Sequence, residues 1–181
     1  MPKAFFLLFL FLSFASAQNP LTAKIIDKLD GFTVIGIKTR TTNAKEMTPD
    51  GNIGKLWQRL FAEGILDKIP NKADTNIIAV YTDYASDHDG EYTFVVGAKV
   101  STDAQVPDGM VAVKIPAGRY AMFTSDKGPV EQIAAKTWDR IWRIPKSDPG
   151  GDRAYKADFE LYDQRSMDPQ NAQVDIYVGI K

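Results

Sequence analysis

Cysteine is missing from all 181 residues. Its absence excludes disulfides, thiolate metal ligands, a thiol nucleophile and a lipid-modified N-terminal cysteine. Histidine occurs once, as His88. Neither sign of charge dominates, since 22 Lys and Arg meet 23 Asp and Glu for a net charge of −1. A chain without a basic cluster lacks the means to neutralise phosphates, which argues against nucleic acid as a partner. After the N-terminus no stretch approaches the roughly 20 apolar residues of a membrane helix. The sequence also has no Asn-x-Ser/Thr acceptor, Gly-rich phosphate loop, nucleophile elbow or zinc signature.

The N-terminus does carry a signal. Lys3 is followed by the apolar run Ala4 to Phe14 and by Ala15-Ser16-Ala17, a small-residue cleavage pattern. Residues 1–17 therefore read as a secretory signal peptide, too short to span a bilayer. An uncleaved membrane anchor is the alternative. Cleavage before Gln18 removes Lys3 and takes the net charge from −1 to −2. The expected mature protein is exported, periplasmic or secreted, from a bacterium. Its 44% hydrophobic and 25% charged residues suit one globular domain, or two half-domains sharing a core.

The second half repeats the first. Trp57 and Tyr81 recur as Trp138 and Tyr162, both displaced by 81 positions. Phe94-Val95-Val96-Gly97-Ala98-Lys99 reappears, with one slip, as Ile176-Tyr177-Val178-Gly179-Ile180-Lys181. Apolar periodicity switches between two and about 3.6 in the same order in each copy. Thr33 to Lys38 reads as a strand. Ile53, Leu56, Trp57, Leu60 and Phe61 form the inward stripe of a helix, and Ile77 to Tyr84 and Glu91 to Val100 read as strands. Val111 to Ile115 and Arg119 to Thr124 open the second copy. A helix striped by Ile133, Ala134, Thr137, Trp138, Ile141 and Trp142 follows, then strands Tyr155 to Tyr162 and Val174 to Ile180.

These boundaries give a lead-in at 18–28 and modules at about 29–101 and 110–181. The fold class is α+β: duplicated β-α-β-β modules forming one antiparallel sheet, two helices on one face and a central ligand cleft on the other. Strand alternation puts Phe159 and Leu161 together, expected under the helices, and Asp158, Glu160 and Tyr162 on the opposite, cleft face. At the repeat offset Glu160 falls opposite Ala79, so one half supplies packing where the other supplies a charge.

Several segments resemble the GyrI-like small-molecule-binding family, the effector-binding domain of many AraC-type and MerR-type drug-sensing regulators. They are Tyr92 to Gly97, Ile115-Pro116-Ala117-Gly118-Arg119-Tyr120-Ala121-Met122-Phe123, Gly128-Pro129, Trp138-Asp139-Arg140-Ile141-Trp142, Phe159-Glu160-Leu161-Tyr162 and Val174 to Val178. The resemblance spans the mature chain, more weakly before residue 75. It implies a shared antiparallel sheet around a cleft in which Glu160 meets cationic or polar ligands among aromatic rings. The sequence departs from those regulators in showing no helix-turn-helix segment and in carrying an expected export signal, so a cytoplasmic DNA-reading role is not expected of it.

Glu160 is thus the leading site residue. A carboxylate among aromatic side chains is costly to bury unless a cation or hydrogen-bond donor satisfies it. Each aromatic face adds about 0.5–2 kcal/mol of attraction for a cation. The plainer alternative is a Glu that bonds a neighbouring Tyr or Arg and holds the sheet in register. Tyr81, Tyr120, Phe123, Trp138, Trp142, Tyr162 and Tyr177 are candidate cleft aromatics, with Trp57 assigned to the core. His88, within Asp87-His88-Asp89-Gly90-Glu91, reads as a solvated hairpin loop rather than a metal or haem ligand. No cofactor and no metal are expected.

The leading functional expectation is an exported protein that binds a hydrophobic or cationic small molecule, with Glu160 as counter-charge and no catalysis. The first alternative is a hydrolase of strained or ester-like toxic compounds, as the resemblance allows. Glu160 would be its general acid or base, assisted by Tyr120, Tyr162 or Tyr177. The second is a protein-interaction module without an enclosed pocket.

Overall fold

The structure, a computed structural model, describes residues 20–101 and 104–181. The signal-peptide reading of residues 1–17 lies outside the described residues. In chain order the elements are β1 (Lys24–Leu29), β2 (Phe32–Thr41), α1 (Asn43–Glu46), α2 (Ile53–Ala62), α3 (Ile65–Lys68), β3 (Ile77–Thr82) and β4 (Tyr92–Val100). They continue with β5 (Val111–Ile115), β6 (Gly118–Thr124), α4 (Val130–Trp142), β7 (Ala157–Tyr162) and β8 (Asp175–Gly179). No helix among the described residues is long and apolar enough to cross a membrane.

Local chemistry explains the helix limits. The first amides of α2 are satisfied by Glu46, whose carboxylate accepts from Asn52 N at 2.9 Å and Ile53 N at 3.0 Å. An acid at that end also suits the helix dipole. Gly64 then ends the run in the left-handed conformation, with φ of 59°. Pro129 sits at the start of α4, where its missing N–H costs nothing.

The eight strands form one antiparallel sheet in the order β1-β6-β8-β7-β3-β4-β2-β5. The duplication is visible in that order. β2-α2-β3-β4 and β6-α4-β7-β8 are the two modules, and they join where β3 pairs with β7. Each lead-in strand crosses to the other module, β1 onto β6 and β5 onto β2. β1 was not expected, because residues 18–28 show no clean alternation. The α+β class and the shared antiparallel sheet are as the repeat implied.

The assignment of faces is corrected. Tyr81, Ala79 and Tyr162 pack with Leu56, Leu60 and Ile133 of the helices. Helices and Glu160 therefore share one face, and the cleft lies between α2 and α4 rather than across the sheet from them. Phe159 packs on the other face with Val80, Val95 and Tyr120, partly covered by Leu29 and Leu161. That second cluster draws side chains from both edge strands, Leu29 of β1 and Ile115 of β5. β1 also runs into β2 through Asp30 and Gly31 alone, and β5 into β6 through Pro116 and Ala117, although each pair stands six places apart in the order. A flat sheet would hold them roughly 30 Å apart at about 4.8 Å per strand, so this sheet is curled.

The tightest backbone approach joins Gly36 of β2 to its cross-strand partner Gly97 of β4. A Cβ on Gly97 would lie 1.9 Å from Ile35 O, and one on Gly36 would lie 2.2 Å from Val96 O. Backbone cannot yield as a side-chain tip can. Gly97→Ala is expected to destabilise the fold by about 2 kcal/mol or more, read from urea unfolding. An unchanged midpoint would refute this contact.

Candidate functional site

The register of β3 against β7 places Ala79 directly across from Glu160, Ile77 across from Tyr162 and Tyr81 across from Asp158. Because Ala79 and Glu160 are also equivalents under the 81-residue repeat, the local two-fold axis passes through this pair. Glu160 stands on the axis. The alanine opposite leaves the room that its side chain occupies.

Three neutral donors converge on the carboxylate. Tyr81 donates to Oε1 at 2.7 Å, Trp138 Nε1 donates to Oε1 at 2.6 Å, and Tyr162 donates to Oε2 at 2.8 Å. The two tyrosines are repeat equivalents, one for each oxygen. Glu160 is 2% exposed. Burial raises its carboxyl above the ordinary value, opposed by the hydrogen bonds from Tyr81, Trp138 and Tyr162. Burial, and the carboxylate next to them, raise both phenols well above theirs, so they stay protonated donors. No Lys, Arg or His pairs with Glu160 among the described residues.

Above the carboxylate lies a cavity of about 980 Å³. Its walls are repeat equivalents. α2 contributes Ile53, Gly54, Trp57, Gln58 and Phe61, while α4 contributes Ala134, Ala135, Trp138, Asp139 and Trp142, each 81 positions later. Ring contacts repeat as well. Trp57 meets Tyr162 edge-on at 4.9 Å and 67°, and Trp138 meets Tyr81 at 5.2 Å and 66°. Phe61, placed in the core by its stripe, is instead 61% exposed and lines the cavity with the exposed Met47 and Met167. Trp57 is half-buried and also lines it, so it is not purely core.

One half differs by more than Glu160. Arg153, from the polar loop that follows α4, is buried against Asp158 of β7 as a hydrogen-bonded ion pair. Tyr84 donates to Asp158 Oδ2 at 2.6 Å, and Gly179 N donates to Oδ1 at 2.8 Å. The guanidinium carbon lies 4.4 Å from the Tyr155 ring centroid and 5.4 Å from that of Trp138. Nε and Nη1 have no hydrogen-bond acceptor among the described residues. Packed on the indole, Arg153 holds Trp138 with its N–H turned to Glu160.

Of the expected site residues, Glu160, Tyr81, Trp138, Trp142 and Tyr162 are brought together around the cavity. Tyr120, Phe123 and Tyr177 do not line it. Tyr120 donates to Pro116 O at 3.0 Å and packs on the far face, where Tyr177 stacks on Phe159 at 4.4 Å. Phe123 is fully buried beside Ile141 and Ile176. Arg153, Tyr84 and His88 join the lining without having been expected. The His88 ring stacks on Trp142 at 6.1 Å and 20°. Asp87, His88 and Asp89 offer ligand atoms within 4.8 Å of one another, with both aspartates exposed.

An aromatic cavity with a buried acid at its floor, between two repeated modules, defines an effector-binding class of domain. The chain belongs to the Cass2 family, the integron-associated effector binding proteins, whose pattern it matches over residues 25–180. The GyrI-like resemblance is thereby established at the level of the whole fold. YobU of Bacillus subtilis (strain 168), named as a transcriptional regulator protein, is 40% identical over 157 residues, covering 86% of this chain and 96% of that one. The crystal structure of integron cassette protein VCH_CASS2, from the mobile metagenome of Vibrio cholerae, superposes with a TM-score of 0.68 at 28% identity. It covers 88% of this chain and 95% of that one. SAV2435, solved bound to tetraphenylphosphonium, shares the fold with a TM-score of 0.63 at 16% identity, over 88% and 94% of the two chains.

Proposed function

We propose that this protein is an exported binder of hydrophobic cations, which it holds in the aromatic cavity with Glu160 as counter-charge. One observation carries the reading. A fully buried carboxylate has three neutral donors and, among the described residues, no cationic side chain paired with it, at the floor of an open cavity walled by tryptophan and tyrosine. Neutral donors lessen the cost of burying a negative charge without cancelling it, so a ligand cation gains attraction from the acid and the rings together. The tetraphenylphosphonium complex of SAV2435, a protein of the same fold, supports this choice of ligand. Trp142 and Trp138 would form one wall, Trp57 and Phe61 the other.

The test is thermal. Tetraphenylphosphonium is expected to raise Tm in a concentration-dependent way, by mass action on the folded state. A neutral analogue such as tetraphenylmethane carboxamide should do much less, and equal shifts would defeat the cation reading. Export rests on the pattern from Lys3 to Ala17. Expressed with its native N-terminus in a bacterium, the protein should fractionate outside the cytoplasm, with a mass that starts at Gln18. Cytoplasmic, unprocessed protein would overturn that part alone.

A further inference from the structure

We infer that the cavity selects cations whose charge lies in the middle of the molecule with an aromatic arm on either side, over cations whose charge lies at one end. The inference rests on the cation-binding reading above and adds where the charge must sit. Its basis is the position of Glu160. The acid occupies the axis that relates the two modules, since its cross-strand partner Ala79 is also its repeat equivalent. One tyrosine from each module bonds one of its oxygens, Tyr81 to Oε1 and Tyr162 to Oε2, so the carboxylate straddles the axis.

The walls follow the same symmetry. Trp57 faces Trp138 across the cleft's midline in the repeat, and Phe61 is matched by Trp142 farther out. Phe61 stacks on Trp57 at 6.0 Å and 24°, and Trp142 stacks on Trp138 at 6.4 Å and 28°. Each half therefore offers a near-parallel pair of rings running outward from the acid. A cation charged at one end reaches Glu160 only by laying its whole apolar body along one half. The outer ring of the other half then stays uncovered by ligand. A central charge lets both pairs cover apolar surface at once.

Two constitutional isomers isolate this variable. Dibenzyldimethylammonium carries its charge between two phenyl arms. (Biphenylylmethyl)trimethylammonium has the same atoms, rings and permanent charge, with the charge at one end. Titration calorimetry on the purified protein should show the dibenzyl isomer binding about tenfold tighter or more. Phe61→Ala and Trp142→Ala, each removing the outer ring of one half, should both weaken the dibenzyl isomer by similar factors. Circular dichroism and Tm without ligand check that each variant is folded. Should Trp142→Ala fail to fold, the isomer ratio on the unaltered protein decides alone. Equal affinities, or tighter binding of the end-charged isomer, overturn the inference and leave cation binding standing. Sensitivity of the dibenzyl isomer to only one of the two variants also overturns it. Binding of neither isomer, nor of tetraphenylphosphonium, sinks both.

Discussion

Glu160→Gln is expected to abolish most cation binding while leaving the fold intact. A hydrogen-bonded or ion-paired charged group contributes about 1.5–3 kcal/mol, so affinity for tetraphenylphosphonium should fall roughly 10- to 100-fold. Gln keeps the side-chain size and one carbonyl acceptor for Tyr81 and Trp138, so packing around it should hold. The substitution has a second signature, in pH. Burial raises the folded carboxyl above its ordinary value of 4.5. The folded state thus keeps a proton that the unfolded chain releases sooner. Its stabilising contribution is complete below pH 4.5 and is lost as pH rises through the raised value. Unliganded protein should therefore lose stability relative to Glu160→Gln over that interval. A cation favours the carboxylate, so its affinity should rise over the same interval and binding should release a proton. Calorimetry in buffers of different ionisation enthalpy measures that release. Undiminished binding by the variant would remove Glu160 from the site.

Asp158→Ala should be the most damaging single change to stability. It leaves the Arg153 guanidinium, 7% exposed, without a counter-charge and strips Tyr84 Oη and Gly179 N of their acceptor. Breaking a buried pair from one side costs about 3–5 kcal/mol. At about 2–4 °C per kcal/mol for a domain of this size, Tm should drop roughly 6–20 °C. Replacing both partners by apolar residues, as in Arg153→Met with Asp158→Leu, should cost much less, because no uncompensated charge remains. Losses of the same size in the single and double variants would mean that packing, not the ion pair, matters here. In folded Asp158→Ala, cation binding should also weaken, as Arg153 no longer braces Trp138.

How far the sequence reached depended on what each signal can distinguish. The repeat was legible because helical stripes and strand endings are local patterns, and its offset alone put Glu160 against Ala79. The helix-covered face was not legible. β7 is buried on both faces, with Asp158 and Glu160 as inaccessible as Ala157 and Phe159, so alternation separates two faces without naming them. Tyr120 and Tyr177 read as cleft residues because ring count cannot tell a wall from a core. Their stacking around Phe159 is a tertiary fact. Arg153 shows the same limit from the polar side. Nothing in a polar, Gly-containing loop marks one of its charges for burial, and the pairing of Arg153 with Asp158 is a tertiary fact. Phe61 lies on its helix's apolar stripe, yet that stripe is wider than the surface the sheet covers.

The position of the acid on the axis also fixes a stoichiometry. Two copies of a gene segment would ordinarily yield twin receptors, one per copy. Here acids at both 79 and 160 would be cross-strand neighbours with Cα atoms about 5 Å apart, two negative charges crowded into one buried spot. Only one of the two positions can therefore hold a buried carboxylate, and Ala79 leaves it to Glu160. The molecule should accordingly saturate at a single equivalent of ligand per chain, however bilateral its architecture.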